Sequence, residues 1–95
     1  MSAYIVFTRD RTFDEAELST YNAMVAPTLG TFGMKSRVVY GQHKVLEGAE
    51  IEGMVIIEFP TIEDATAWYE STAYQEARAH RFKGAEYRCV LVQGV

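Results

Sequence analysis

Gly53-Met54-Val55-Ile56-Ile57-Glu58-Phe59-Pro60-Thr61-Ile62-Glu63-Asp64-Ala65-Thr66-Ala67-Trp68-Tyr69 decides the fold, because a strand ends at Pro60 and a helix begins immediately after it. Met54 to Ile57 form an unbroken apolar run rich in β-branched residues, bounded by Gly53 and by Pro60, which has no N–H to give to a ladder. Side chains alternate across a strand, so Met54 and Ile56 point one way, Val55 and Ile57 the other, and both faces need cover. After Pro60, Thr61 and Asp64 have capping-box spacing, with Ile62, Ala65, Trp68 and Tyr69 following at helical intervals. A strand running straight into a helix points to α/β or α+β architecture.

Working outward, Ala3-Tyr4-Ile5-Val6-Phe7-Thr8 is a second strand, apolar or aromatic on both faces and ended by Arg9-Asp10-Arg11. Thr12 and Glu15 form another capping-box pattern. Leu18, Tyr21, Met24 or Val25, Thr28, Leu29 and Phe32 then mark a long amphipathic helix that Pro27 kinks or breaks and Gly33 stops. Ser36 to Tyr40 and Lys44 to Glu47 read as a hairpin around Gly41-Gln42-His43, followed by an exposed turn over Gly48 to Glu52. Ser71 caps a further helix from Thr72 to about Phe82, Gly84 ends it, and Tyr87 to Gln93 is the last strand. The order is the α+β, ferredoxin-like βαββαβ plan, an antiparallel sheet with its helices on one face. Apolar residues on the other face then have no cover within the chain. A second sheet supplies it, at about 25 cal/mol per Å² of apolar area over a standard interface of about 1,600 Å², so a two-fold homodimer packed sheet to sheet is expected.

Ninety-five residues make one domain, 1–95, with 48% hydrophobic and 23% charged residues and no repeat or low-complexity tract. A net charge of −4 and a pI near 5.1 argue against nucleic acid, despite a local basic group of Arg78, Arg81, Lys83 and Arg88. The single Cys89 admits neither an internal disulfide nor a multi-cysteine metal site and reads as an apolar filler of the last strand. The N-terminus shows no secretory pattern, and no segment approaches the roughly 20 apolar residues that span a bilayer. The expectation is a cytoplasmic protein that engages no membrane.

Val45-Leu46-Glu47-Gly48, Glu58-Phe59-Pro60-Thr61, Ala67-Trp68-Tyr69-Glu70-Ser71, Ala73-Tyr74-Gln75 and Val90-Leu91-Val92-Gln93-Gly94-Val95 together resemble the family called domain of unknown function 1330. The likeness runs from Tyr4 to Val95 and includes Pro27-Thr28-Leu29. It implies a dimeric α/β barrel, in which ferredoxin-like protomers pair through their sheets. Thr72 departs from the family's usual Pro after the cap Ser, and His80-Arg81-Phe82 stands where members often show a less distinctive mixture. The wider superfamily includes cofactor-independent monooxygenases, muconolactone isomerase-like enzymes and haem-binding chlorite dismutase-like proteins, so the fold does not choose a reaction.

Two residues are candidates for catalysis. Glu58, at the end of an apolar strand, would act as acid or base if desolvated, against the plainer reading of a carboxylate paired with Arg9, Arg81 or Arg88, or exposed at the strand end. His80 would shuttle a proton near neutral pH, against a surface or packed histidine. Tyr40, Trp68, Tyr69, Tyr74 and Arg81 are candidates for ligand binding, with Tyr87 and Phe82 adding to a 13% aromatic content, against ordinary core packing. His43 falls in a turn. No metal site, cofactor motif, phosphate loop or nucleophile motif is present in the sequence. The first reading is therefore a homodimer binding a small aromatic or acidic organic molecule, with cofactor-independent acid–base, monooxygenase or isomerase chemistry. The competing reading is a non-catalytic ligand-binding or stress-associated dimer. An enzyme would bring Glu58 or His80 together with a tyrosine hydroxyl on one closed pocket.

Overall fold

In the computed structural model, which describes all 95 residues, Ala3–Thr12 forms strand β1. It runs past Arg9-Asp10-Arg11, where the sequence predicts its end, because a register irregularity between Arg9 and Arg11 lets the pairing with the last strand continue to Thr12. Helix α1 spans Glu15–Val25 and is capped by Asp14, whose carboxylate accepts from the Ala16 and Glu17 amides. Thr12 is not the cap: it stays in β1, and its hydroxyl donates to Glu52. Pro27 breaks the helix as expected, and Ala26–Thr28 continues as a single 3-10 turn. Thr31–Gly33 forms a second such turn, with Phe32 at φ 54° and Gly33 at φ +71°.

Strand β2 is Lys35–Val39 and strand β3 is Gly53–Phe59. The expected second arm of a hairpin at Lys44 to Glu47 does not form. Tyr40 takes φ 51° and turns the chain out of the sheet directly after its amide donates to Met54 O. The loop then returns on tethers from Glu52, whose amide donates to Arg9 O and whose carboxylate accepts from Thr12. Helix α2 is Ile62–Glu70 and helix α3 is Thr72–Gly84. Thr61 caps the first of these by accepting from Asp64 N. Ser71 closes one helix and opens the next: its hydroxyl donates to Trp68 O and accepts from Tyr74 N. Strand β4, Ala85–Gln93, completes a four-stranded antiparallel sheet of order β2-β3-β1-β4, the ferredoxin-like α+β arrangement.

The molecule measures 33 × 32 × 17 Å, one sheet thick and one helix layer thick. Ile5, Phe7, Ile57 and Phe59 are buried beneath the helices, packed with Tyr21, Trp68 and Tyr74. Trp68 and Tyr74 are fully buried and stack at 4.0 Å, and Trp68 Nε1 donates to Thr28 Oγ1, tying the 3-10 turn to α2. On the opposite face Val6 is paired with Ile56 and Val90, and Ile56 with Val38, so β-branched side chains cross every strand in one row. Nothing in the chain covers them, and Val90 and Val92 remain 56% and 48% exposed.

Candidate ligand-binding cavity

Between the sheet and α1 lies an apolar cavity of about 220 Å³ that opens to one side. Phe7 and Val55 form its floor on the central strands, Tyr21 and Val25 its roof on α1, and Trp68 its inner wall. The mouth is formed by Leu29 and Val39, both of which are exposed. A helix broken at Pro27 leaves this end of the helix layer thin, which is why a space remains there.

Asn22 on α1 and Ser36 on β2 are polar lining residues, and three tyrosines add hydroxyls. Tyr40 and Tyr87, which both line the cavity, share a hydrogen bond between their hydroxyls at 2.5 Å. Burial pushes the Tyr40 hydroxyl well above its ordinary value, with the bond to Tyr87 adding to the shift and Arg9 and Arg81 opposing it. Arg9 lies 4.8 Å above the Tyr40 ring. Its Nε is 2.9 Å from Glu52 Oε1 while lacking an aligned hydrogen bond, so charge rather than direction holds that pair. The Tyr21 hydroxyl turns inward and bonds Tyr74 at 2.9 Å. No acidic residue lines the cavity.

The family model for domain of unknown function 1330 matches residues 2–95. The chain belongs to that family. No curated protein matches the sequence. Solved structures that share the fold include a protein of unknown function from Rhodopseudomonas palustris, 18% identical with a TM-score of 0.75, covering 99% of this chain and 82% of that one. A dimeric protein of unknown function and ferredoxin-like fold from Bacteroides fragilis is 14% identical with a TM-score of 0.63, over 98% of this chain and 96% of that one. An EthD (ethyl tert-butyl ether d) family protein from Bacillus halodurans is 11% identical with a TM-score of 0.68, over 100% of both chains. At such identities the likeness is one of fold.

In this DUF1330 protein the candidate residues divide by location. Tyr40 and Trp68 line the cavity; Trp68 is core and wall at once. Tyr74 is buried behind it, and Tyr69 packs on Tyr74 at 5.4 Å, away from the cavity and under the Arg78 guanidinium. Arg81 is buried among aromatic rings behind the Phe7 and Tyr87 wall. Glu58 and His80 do not converge on the cavity. Glu58 shares strand parity with Met54 and Ile56, so it lies on the open sheet face, 3.1 Å from Arg37 Nε. That hydrogen bond is the main reason its carboxyl is held below the usual range, the opposite of the rise that desolvation would produce. His80 Nδ1 is 2.7 Å from Glu17 Oε2 across α1 and α3. Cys89 is exposed rather than buried, on a shallow pocket that it shares with Thr66 and Tyr69 of α2; desolvation by its neighbours still raises its thiol above the ordinary value, against the pull of Arg81 and Arg78. His43 is exposed in the loop, its Nε2 3.1 Å from Ile51 O.

Phe7, Tyr21, Leu29 and Val39 are wall residues that sequence reasoning assigns to no site. Tyr21 and Phe7 were legible as inward-facing by periodicity, but a packed core residue and a cavity wall have the same pattern. No helix is long and apolar enough to cross a membrane.

Proposed function

We propose that this protein is a two-fold homodimer, paired through its open sheet face, in which each subunit binds one small organic molecule in the cavity between sheet and helices. The observation that carries the binding reading is the cavity itself, apolar on most sides with a hydroxyl pair at one end, the usual composition of a small-molecule site. An engineered cavity of roughly 150 Å³ takes a benzene, so about 220 Å³ suits a molecule of one ring with a polar substituent. Because Glu58 is paired with Arg37 and His80 is in hydrogen-bond contact with Glu17, both away from the cavity, the geometry favours binding over acid–base catalysis by these two residues. A cytoplasmic setting is consistent with the single unpaired Cys89.

The test is thermal shift with a panel of phenols, quinones and keto acids. A ligand at one hundred times its Kd adds about 2.7 kcal/mol to stability, and for a chain of this size each kcal/mol raises Tm by about 4–8 °C. Val55→Phe, which fills the floor of the cavity, is expected to abolish the shift while leaving the fold intact. No shift with any member of the panel, or a shift unchanged in that variant, would remove the cavity from consideration.

A further inference from the structure

Arg81 is the one charged side chain of the core: only 3% of it is exposed, and its Nε has no hydrogen-bond partner. Neither of the chain's ion pairs, Arg9–Glu52 and Arg37–Glu58, includes it, nor does the His80–Glu17 contact. A buried cation normally has a carboxylate beside it, because removing it from water is costly. Here aromatic rings take that place, with the guanidinium carbon 5.0 Å from the Tyr87 ring centroid, 5.2 Å from Phe7 and 5.1 Å from Phe82. Tyr87 and Phe7 are also cavity walls. The guanidinium therefore stands one ring's thickness behind the cavity, on the side where Tyr40 and Tyr87 join hydroxyls. The carbonyl ends of the last turn of α3 offset part of its charge, and the faces of three rings offset more. Neither neutralises it. Its field also reaches cavity-lining phenols, where it favours the ionised form and so opposes the burial-driven rise in the pKa of both Tyr21 and Tyr40.

From this placement we infer that the cavity selects an anion, a flat carboxylate of about one ring, seated with its charged end toward Tyr40 and Tyr87. This rests on the ligand-binding reading above and adds the charge of the ligand to it. Three features of the site agree with it. The hydroxyl pair uses one proton for its own bond and leaves the second free to donate to a carboxylate oxygen. No carboxylate of the protein lines the space to repel one. Inside a low-dielectric wall the Arg81 charge is weakly screened, so its attraction for an anion persists across the intervening ring. Arg81 is thus a positioning residue for ligand charge, acting through the wall rather than touching the ligand.

The experiment compares two probes of nearly equal shape, benzoate and benzamide, by calorimetric titration of the wild-type protein at neutral pH, with chemical-shift mapping to locate the bound ring. Benzoate is expected to bind at least tenfold tighter, with shifts at Tyr40, Tyr87 and Val55. In Arg81→Met that ratio falls to one or below while benzamide binding is retained; in Arg81→Lys, which keeps the charge, a preference for benzoate survives. Equal affinities in the wild type, or a preference for benzamide, would overturn the inference and leave the cavity standing as a neutral site. If neither probe shifts the cavity residues, the ligand-binding reading and this inference fall together. The wild-type ratio decides the matter even if Arg81→Met does not fold, and a preference unchanged in a folded Arg81→Met would equally defeat it.

Discussion

The hydroxyls of Tyr21 and Tyr74 lie 2.9 Å apart in the core and share one hydrogen bond, one donating and the other accepting. Tyr21→Phe strands the Tyr74 hydroxyl in an apolar site and is expected to cost about 1–3 kcal/mol in urea unfolding. The double change to Phe removes both partners, so it should cost less than the two single changes added together. Burial pushes Tyr74 up to about 12 from an ordinary 10.0, with Arg81 and the bond to Tyr21 opposing the rise. Burial also raises Tyr21, and more strongly. Both folded-state values exceed the unfolded one, so the protonated phenols stabilise the fold at ordinary pH. That contribution is complete below pH 10 and is lost as pH climbs through the folded value, at up to about 1.4 kcal/mol per pH unit for each phenol. Tm measured against pH should fall steeply above about pH 10, and less steeply in the double Phe variant. At this scale the sequence places residues on faces but does not name their partners. Glu58 was legible as a strand-end carboxylate, while Arg37 as its neighbour depends on the pairing of β2 with β3.

Ser71 joins two helices with one hydroxyl, closing α2 at Trp68 O and opening α3 at Tyr74 N. Ser71→Ala should cost roughly 1 kcal/mol, within a range of about 0.5–2, read as a lower urea midpoint with an unchanged m-value. Gly33 carries a sharper constraint. Its φ of +71° lies where side chains are disfavoured, and an added Cβ would come within 2.7 Å of Pro60 Cγ. Gly33→Ala therefore meets strain and a clash together, and should exceed the roughly 1 kcal/mol that strained backbone alone costs, again read by urea unfolding. Elements whose signals are local, such as the Thr61 and Ser71 caps and the break at Pro27, were legible in the sequence. The second hairpin arm was not. Val45 and Leu46 have strand propensity, but propensity is a weak term, and the turn at Tyr40 with the Glu52 tethers to Arg9 and Thr12 takes the loop out of the sheet.

A slab 17 Å thick has room for a sheet and one layer of helices, so the row Val38, Ile56, Val6 and Val90 faces outward. An apolar face of this kind marks an association site, and a self-complementary two-fold contact is the commonest solution. Light scattering is expected to give the mass of a dimer for the wild type and of a monomer for Ile56→Lys, with far-ultraviolet circular dichroism unchanged. A wild-type monomer at micromolar concentration would defeat the dimer. If the dimer forms, Tm should also rise with protein concentration, because association stabilises only the folded chain.

The alternation of apolar residues, the Pro and Gly breaks and the helix caps were enough to determine the order of strands and helices and the surplus of apolar sheet surface, because these depend on neighbours in sequence. The cavity, the Tyr40 and Tyr87 hydroxyl pair and the unpaired Arg81 were decided only by tertiary structure. They join residues as distant in sequence as Phe7 and Tyr87, and whether such side chains meet, stack or leave a space between them is set by strand register and helix packing, which no local pattern encodes.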